Sequence, residues 1–456
     1  MHRLPPLRVL LAVLGAILAI PALSGTRAAE LVAPTFARDV APILNARCVS
    51  CHRPNQIGPM ALTTYAEARP WARAIKREVV ARQMPPWGAD PKYGRFKNDW
   101  SLSPAQVDVI AAWVDAGAPM GDAKDLPPAP IFSDGAWDRS LPDAVIEIPE
   151  QQLPAEGTLD APSFIVPNPF GKDVWIQGSQ VLPGNRRIVH HVSPHIVKLP
   201  AGAIIKEDQK AYWSDGRPLK RSEFPVYAAI GETIADRDAA KLGAYLPGRG
   251  LEWYPEGTAR RLPKDAYIEL NVHYQPSGKR ETDRTRLGLY LAREPVRREI
   301  RNGGGVDPAG FREVAGRQTP AGRIPNIPPF AANFQVSGST LFTRPATLYA
   351  LSPHMHLRGK DMTFILIHPD GREEILLRVP KFDFNWQLIY ELETPLTLLP
   401  GSRLRAIAHY DNSAGNRFNP APDREVQWSQ ESWDEMFSPE IRFTYDDIDL
   451  TTMPSR

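Results

Sequence analysis

Cysteine is nearly absent from this chain, and its scarcity limits how the fold can be stabilised. Only Cys48 and Cys51 occur in 456 residues. A framework of several disulfides, as in small secreted domains, is therefore excluded. The hydrophobic cores must instead be stabilised mainly by burial of apolar side chains, for which a hydrophobic content of 43% is sufficient.

Excess charge and long apolar runs are also missing. The net charge is only +2, so the chain has no electrostatic footprint for nucleic acid. No stretch beyond the N-terminus approaches the length of a membrane span. The 47 Pro and 32 Gly favour loop-rich β structure over a helical bundle, and the length predicts about three domains.

The N-terminus has the features of an export signal. Arg3 and Arg8 precede an apolar run from Val9 to Ile20, and small residues follow. Because this run is short for a membrane span, we predict a cleaved signal peptide over residues 1–29, with an uncleaved anchor as the alternative. The mature protein is then expected to be periplasmic or secreted, without a membrane span.

The two cysteines lie in Cys48-Val49-Ser50-Cys51-His52. This spacing is the attachment signature of c-type haem, in which both thiols bond the porphyrin and the histidine binds the iron. A redox disulfide or half of a zinc site are the alternatives, but a four-ligand zinc site would need further cysteines. The motif therefore predicts one covalent haem c.

The residues around this motif predict short helices. Phe36 to Arg47 leads into the motif, and Tyr65 to Gln83 has apolar residues at helical spacing. Ser103-Pro104-Ala105-Gln106 predicts a capping box with proline at the first helical position. These features agree with a haem segment of helical type.

The sixth iron ligand is expected to be a methionine. His52 is the only histidine between residues 30 and 150. Met84 follows a predicted helix and precedes two prolines that stiffen its loop, so it is the preferred ligand over Met60 and Met120. Residues 34–120 resemble a class I cytochrome c.

Strand-like composition dominates after a stretch rich in Pro, Ala and Asp. Strands are predicted at Asp173 to Gln177, Arg187 to Val197 and Tyr267 to Tyr274. In the last of these strands, apolar and polar residues alternate. His273 is therefore expected on the polar face, where a metal ligand would lie.

Three further histidines lie on the second predicted strand. His190 and His191 are adjacent, so a regular strand would point them to opposite faces. One metal can take both only if the strand is bulged or lies at a sheet edge. Otherwise one is buried and the other exposed. His195 is a rival ligand, on the same side as His191 of an unbulged strand.

His354 and His356 form a more specific pair. On a strand, two residues separated by one position point their rings to the same face, which makes a natural chelate. Met436 taken alone predicts only packing. Imidazoles combined with one thioether nevertheless suit copper, because soft sulfur favours Cu(I) while imidazole serves both oxidation states.

Four motifs occur in an order that resembles the copper type II, ascorbate-dependent monooxygenases, the family of peptidylglycine and dopamine β-monooxygenases. The resemblance covers residues 160–450, and the whole chain is similar to bacterial fusions of that family with a cytochrome c. The motifs are His190-His191, His273-Tyr274, His354-Met355-His356 and Asp434-Glu435-Met436.

The resemblance implies two copper ions. It implies that the electron-storing copper is held by His190, His191 and His273, and that the catalytic copper, which binds O2 and faces the substrate, is held by His354, His356 and Met436. The implied reaction hydroxylates a C–H bond of an organic substrate with O2. An external one-electron donor would reduce the haem, which passes electrons to the all-histidine copper.

Three departures from the family's sequence pattern bear on which substrate is expected. Amidating members carry an arginine where this chain has Ser352, and Asn and Tyr where it has Ser438 and Glu440. Peptidylglycine amidation is therefore not expected, and nothing in the sequence names another substrate. The disulfides of animal members are absent as well.

These features predict a multidomain fold in which a small all-α cytochrome c domain is followed by two all-β, jelly-roll-like sandwich domains. The predicted divisions are a signal peptide at 1–29, the cytochrome c domain at 30–120, a linker at 121–150, the first copper β-sandwich at 151–300, a linker at 301–330 and the second copper β-sandwich at 331–456.

Two other functions compete with the oxygenase. The chain could be a non-catalytic periplasmic electron-transfer or copper-binding protein. Three histidines with water also resemble a catalytic zinc site, although methionine and haem argue against zinc, which does no redox work. A blue-copper nitrite reductase is excluded because both cysteines are committed to haem.

Overall fold

The structure is a computed structural model, and it describes residues 33–132, 137–157, 161–225, 240–246, 249–304, 311–314, 317–320, 324–429 and 432–452. The predicted signal peptide at 1–29 lies outside the described residues. Residues 34–456 form one compact unit.

The helices are short and lie near the N-terminal end of the described chain. They are α1 (Ala41–Arg47), preceded by a π-helical turn at Phe36–Val40, α2 (Tyr65–Ala68), a 3-10 turn at Arg69–Trp71, α3 (Ala72–Val80) and α4 (Pro104–Asp115). The predicted capping box at α4 is present, since the Ser103 hydroxyl accepts a hydrogen bond from the Gln106 amide at 3.2 Å and the Gln106 side chain accepts one from the Ser103 amide at 2.9 Å.

Strands follow from residue 144 to residue 291. They are β1 (Ala144–Glu147), β2 (Gln151–Leu153), β3 (Ser163–Pro167), β4 (Val174–Leu182), β5 (Val189–Val197), β6 (Ala203–Ile205), β7 (Ala211–Trp213), β8 (Leu251–Trp253), β9 (Thr258–Leu262), β10 (Tyr267–Tyr274), β11 (Glu281–Asp283) and β12 (Arg286–Leu291). One sheet runs β1-β12-β4-β9, with β8 also pairing β4, and a three-stranded sheet runs β3-β10-β5.

The remaining strands begin at residue 298. They are β13 (Arg298–Glu299), β14 (Arg301–Gly304), β15 (Phe311–Val314), β16 (Arg317–Pro320), β17 (Phe334–Leu341), β18 (Ala346–His354), β19 (Gly359–Ile367), β20 (Glu373–Val379), β21 (Tyr390–Leu398), β22 (Arg403–Tyr410) and β23 (Ser438–Tyr445). Their sheets run β14-β23-β18-β21 and β16-β15-β17-β22-β19-β20, while β13 pairs β9 of the earlier sheet.

Each part of the chain has its own hydrophobic core. The helices bury Phe36, Leu44, Ile110 and Trp113. A second core lies between the sheets of β1–β12, and a third lies between the sheets formed by β14–β23. Central strands such as β10 and β12 are buried over runs of consecutive residues, so both of their faces are covered.

The expected fold class is wrong. Strands hold 36% of the chain and helices only 13%, in a few short segments, and no all-α cytochrome domain is evident. The physical reason lies in residues 84–100, which leave the helices and pack on a β core. Trp87, Phe96 and Trp100 pack against the core of β14–β23, and Phe96 forms an antiparallel bridge to Leu392 of β21.

Both segments predicted as linkers contain strands. The segment at 301–330 contains β14, β15 and β16, and β14 pairs with β23. The segment at 121–150 contains β1, which pairs with β12. No helix in the described part of the chain is long and apolar enough to cross a membrane.

Candidate metal centre

The first histidine group lies on two neighbouring antiparallel strands. β5 and β10 pair so that His191 lies opposite His273, Ser193 opposite Asn271 and His195 opposite Glu269. These residues share one face because alternate residues of a strand point the same way. Their rings meet across the strands, since the His191 and His273 ring centroids are 3.9 Å apart with 22° between the planes.

His190 occupies a bulge in β5. The register pairs His191 with His273 but Val189 with Tyr274, so His190 has no partner position on β10. A bulge of this kind removes the strict alternation of side chains and lets adjacent residues turn toward one another. The Nδ1 atoms of His190 and His191 are accordingly only 3.0 Å apart. Two nitrogen ligands of one metal ion, each about 2.0–2.1 Å from it, lie at about this separation.

A neighbouring side chain sets the tautomer of His273. Its Nε2 lies 2.7 Å from the Asn271 Oδ1 atom, while the Asn271 Nδ2 group donates to the Ala161 carbonyl and the Ser163 hydroxyl. Because Oδ1 can only accept, Nε2 of His273 must carry the proton. In the neutral ring Nδ1 then keeps its lone pair for a metal, which is the usual arrangement around a ligating histidine.

The second histidine group lies where β18 ends. His354 is the last residue of β18, and His356 follows in the turn that leads into β19. The regular strand expected across both residues therefore stops after the first of them. The rings are nearly perpendicular, at 89°, with centroids 5.3 Å apart.

A buried carboxylate holds that turn. Glu435 accepts hydrogen bonds from the amides of His356 at 2.9 Å, Arg358 at 2.6 Å and Met436 at 3.2 Å. Burial raises the pKa of Glu435 to about 7, although these three bonds act in the opposite direction. The contacts fix the backbone of His356 relative to Met436, which are 80 residues apart in sequence order.

Both rings of the second group also have partners that set their tautomers. His354 Nδ1 donates to the Gln387 side-chain oxygen at 2.5 Å, and His356 Nδ1 donates to the Asp434 backbone carbonyl at 3.3 Å. Each Nε2 is left unprotonated in the neutral ring and can act as a donor atom to a metal.

The two groups face the same cavity. A cavity of about 90 Å³ is lined by His191, His273, His354, His356 and Met436, together with His195. Met436 contributes the only thioether of this lining. The structure thus brings together five of the six predicted copper ligands, and the sixth, His190, contacts His191 directly.

The surroundings keep the rings neutral. Burial, with smaller contributions from nearby cationic side chains and rings, lowers the pKa of His273 to about 3 and that of His354 to about 4. Burial also lowers the pKa of His190 and of His191. Neutral imidazole is the form that binds a metal, so these side chains are in the required state well below neutral pH.

The residue types of the two groups suit copper, but the side chains of the first group are not placed as ligands of a single ion. Among the described residues, no group of three or more His, Cys, Asp or Glu side chains stands at metal-binding spacing. In the first group the His191 ring stacks on the His273 ring, and the lone pairs of two nearly parallel rings do not converge on one point. One of these rings must rotate for both to reach a single ion. The donor set of imidazoles and one thioether fits copper.

The haem motif has part of the arrangement that attachment requires. His52 Nδ1 donates to the Met60 backbone carbonyl at 3.2 Å, which leaves Nε2 for iron. Cys48 and Cys51 are both unpaired thiols and half-buried, and burial raises the pKa of Cys48 to about 12. A side chain at Gly58 would clash with the Cys51 carbonyl and the His52 ring. The residues therefore fit a covalent haem.

The methionine candidates occupy different places. Met60 and Met120 pack against the helical core, as expected of ordinary apolar residues. Met84 lies just beyond α3 and is half-buried outside that core. Its role as the sixth ligand stays a prediction.

Several polar residues of the cavity were not found from the sequence. Lys241 pairs with Glu440 at 2.9 Å, and Arg221 pairs with Glu269 at 3.2 Å. Ser352 and Glu440, which differ from the amidating enzymes, both line the cavity. His409 does not line it, since its ring contacts Asp361 at 2.7 Å and Gln335 at 3.2 Å.

Of the side chains that fix the histidine tautomers, only one could have been recognised from the sequence. Asn271 precedes His273 by two positions, so it shares the same strand face. Gln387 is 33 residues from His354 and reaches it through the fold alone. His195 is buried, and its Nδ1 lies 3.1 Å from the Ser193 carbonyl, so it faces the cavity beside the first group.

Comparisons with known proteins do not identify the chain. No family model matches it, and no curated protein matches it. A solved structure of the infectious bursal disease virus Gx strain is 10% identical over 69% of this chain and 76% of that chain, with a TM-score of 0.17. A solved structure of PNGF-II is 10% identical over 71% of this chain and 64% of that chain, with a TM-score of 0.21. Similarities this weak support no conclusion on fold or function.

Proposed function

We propose that this protein is an exported, haem- and copper-dependent monooxygenase that uses O2 to hydroxylate a C–H bond of an organic substrate. The observation that carries the proposal is the single cavity lined by His191, His273, His354, His356 and Met436. Chance rarely gathers neutral imidazoles and a thioether from such distant parts of a chain, and an oxygenase needs redox centres close to one reacting molecule.

The residues of the chain have separable tasks in this proposal. His190, His191 and His273 would hold one copper ion, and His354, His356 and Met436 would hold the other. Asn271 and Gln387 keep the required ring nitrogens deprotonated. Bound copper would supply one-electron redox chemistry that the protein side chains lack.

Electrons would enter through the haem segment. Cys48 and Cys51 would attach the haem, with His52 and Met84 as its axial ligands. The haem would accept single electrons from an external donor and deliver them to the first histidine group. Attachment of c-type haem outside the cytoplasm agrees with the predicted signal peptide and with a periplasmic or secreted location.

Charged side chains line the cavity beside the proposed ligands. They are Lys241, Glu440 and Arg221. Lys241 pairs with Glu440 and Arg221 pairs with Glu269, so both cations of the cavity lining already have a carboxylate partner. This agrees with the expectation that peptidylglycine is not the substrate.

The first test counts metals. The full chain is exported from a host that attaches haem, and iron, copper and zinc are measured per chain. We expect two copper ions per haem in the wild type and about one in Met436→Ala, because one soft ligand of the second group is lost. Met355→Ala is the matched control, since Met355 is buried in the hydrophobic core and does not line the cavity.

Haem without copper, or zinc in place of copper, would refute the proposal. A second measurement addresses the alternative, a non-catalytic electron-transfer or copper-binding protein. Oxygen consumption by the reduced, copper-loaded protein separates the two functions. The oxygenase must consume O2 in a manner that Met436→Ala abolishes, whereas a carrier would show the same slow oxidation in both proteins.

A further inference from the structure

Met436 lies in a short segment, residues 433–436, that comes just before β23 and belongs to none of the strands. Main-chain oxygens of this segment accept hydrogen bonds from side chains of other parts of the chain. The Tyr410 hydroxyl donates to the Met436 carbonyl at 2.8 Å, and Arg358 Nη1 donates to the Trp433 carbonyl at 2.8 Å. Because Met436 lines the cavity, these contacts help to decide where its thioether lies.

Arg358 joins this segment to the turn of the second histidine group. It follows His356 by two positions and is only 2% exposed. Its backbone amide donates to the Glu435 carboxylate at 2.6 Å, while its side chain donates to the Trp433 carbonyl. One residue thus holds the segment of Met436 through both its backbone and its side chain.

The guanidinium of Arg358 has a second partner that is itself fixed. Arg358 Nε donates to the side-chain oxygen of Asn412 at 2.9 Å. Asn412 is fully buried, and its Nδ2 group donates to the carbonyls of Pro328 and Arg424, both at 2.9 Å. With its nitrogen occupied in this way, the amide must turn its oxygen toward Arg358. Arg358 therefore spans from a rigid anchor to the Trp433 carbonyl.

The chemistry of arginine suits this position. Its planar guanidinium presents several N–H groups in a fixed fork, so two acceptors can be bound at once in a defined geometry. A lysine at residue 358 ends in one nitrogen on a flexible stem, which cannot reproduce that fork. A leucine supplies no donor to either acceptor.

We propose that Arg358 is a positioning residue that holds the Met436 thioether in the cavity beside His354 and His356. Without its side chain the segment keeps the bond from Tyr410 near its end but loses the bond at its start. The thioether is then no longer held at one place relative to the two rings. This inference rests on the proposed function, in which Met436 is a ligand of the second copper ion.

The first measurement needs no copper. The full chain is exported with its haem attached, stripped of copper by a chelator, and followed by hydrogen exchange and mass spectrometry. The amides of Glu435 and Met436 are hydrogen-bonded in the structure. We expect them to exchange about tenfold faster in Arg358→Leu, which is the effect of one lost hydrogen bond on local opening.

The second measurement uses copper as the probe. The same full chain is loaded with Cu(I), and X-ray absorption at the copper edge reports sulfur scattering from the thioether. In Arg358→Leu the sulfur signal should fall toward that of Met436→Ala, which has no thioether at this position. Arg358→Lys should give an intermediate signal, because one donor and the charge remain. If Arg358→Leu assembles poorly, Arg358→Lys carries both measurements.

Arg260→Leu is the matched control. Arg260 is also 2% exposed and donates to a backbone carbonyl, that of Ile300, at 3.0 Å. It lies on β9, away from the Met436 segment in the sheet order. Its loss removes a comparable buried bond, but the exchange of residues 433–436 and the sulfur signal should match the wild type.

Four outcomes separate this inference from the proposed function. Exchange and sulfur scattering that stay at the wild-type level in Arg358→Leu and Arg358→Lys would overturn the role of Arg358 alone. Equal changes in Arg260→Leu would also overturn it, since general destabilisation would then explain them. Two bound copper ions without sulfur scattering in the wild type would overturn Met436 as a ligand together with this inference. A wild type without copper would overturn the proposed function, while hydrogen exchange would still decide whether Arg358 holds the segment.

Discussion

At the scale of single residues, the protonation of His273 and of His354 depends on a neighbouring side chain that is not itself a proposed ligand. Asn271 and Gln387 are uncharged side chains whose oxygens can only accept, so each forces its histidine to present the opposite nitrogen to the cavity. The metal affinity of the centre should therefore depend both on the ligands and on the side chains that fix their tautomers. Substitutions at the partners should change affinity without removing a ligand.

Gln387→Leu tests this division. The substitution removes the acceptor for His354 Nδ1–H while keeping a side chain of similar length, so we expect copper affinity at the second group to fall by about 10–100-fold. Competition with a chelator of known affinity measures the change. Gln335→Leu is the control, because Gln335 accepts from His409 instead. An unchanged affinity in Gln387→Leu would show that the hydrogen bond does not orient a ligand.

At the scale of elements, the bulge in β5 is the feature on which the first group depends. Without it, His190 and His191 would point to opposite faces of the strand. The strand register shows the bulge directly. Val189 and His191 are two positions apart in β5, but they pair with adjacent residues of β10. Removing His190 by deletion would leave a regular strand.

Deletion of His190 should therefore be tolerated by the fold and not by the site. We expect thermal unfolding within a few degrees of the wild type, because the ladder of β5 and β10 is completed, and loss of one copper per chain. Deletion of Val192 is the control. It lies within the paired region, so its loss would move every preceding residue of β5 to the other face and destabilise the protein strongly. Equal destabilisation by both deletions would contradict the bulge.

The elements were easier to predict than the site. Period-two alternation located the strand of His273, and the Ser103 capping box located α4, because both signals are local. The bulge at His190 has no local signature, since it arises from pairing with β10. The contact of Gln387 with His354 joins residues that only the fold brings together. The motif order predicted six ligand residues, whereas the convergence of five of them on one cavity became visible only in the structure.

At the scale of the whole molecule, an ionic network connects three parts of the chain. Arg442 donates to Glu252 at 2.6 and 3.0 Å, and Arg249 lies 3.6 Å from Glu252. Arg249 is also bonded to Glu391, and the more exposed Lys97 lies 2.8 Å from Glu391. Burial alone raises the pKa of Glu391, but Arg249 and Lys97 outweigh it and hold the pKa below its ordinary value. The loop that carries Lys97 and both β cores thus share one set of charges.

Glu391→Gln should weaken the assembly in a pH-dependent way. A carboxyl with a depressed pKa stabilises the folded state above its ordinary pKa of 4.5, and this contribution is lost as the pH falls through the folded pKa. We expect the variant to lose about 1–3 kcal/mol at pH 7, because Arg249 keeps only Glu252, 3.6 Å away, as a charged partner, and the difference from the wild type to shrink below pH 4.5.

Denaturant unfolding at several pH values measures this difference. Glu373→Gln is the matched control, since Glu373 pairs with Arg405 on an exposed surface and should change stability by less than about 1 kcal/mol. A difference between Glu391→Gln and the wild type that stays constant from pH 7 to well below the folded pKa of Glu391 would rule out an ionised Glu391 as the stabilising group.

The packing of residues 87–100 also decides how the protein can be divided in practice. Trp87 and Phe96 both contact the Tyr390 ring, with centroids 4.8 and 5.4 Å away, and the Lys97 amide donates to the Glu391 carbonyl. A cut after the haem motif, or even at residue 120, would strip these aromatic rings from β21. The end of the chain that carries the haem motif therefore cannot be exchanged as an independent unit. An engineer who exchanges it for another electron carrier must carry the Trp87–Trp100 stretch along or redesign the surface that it covers.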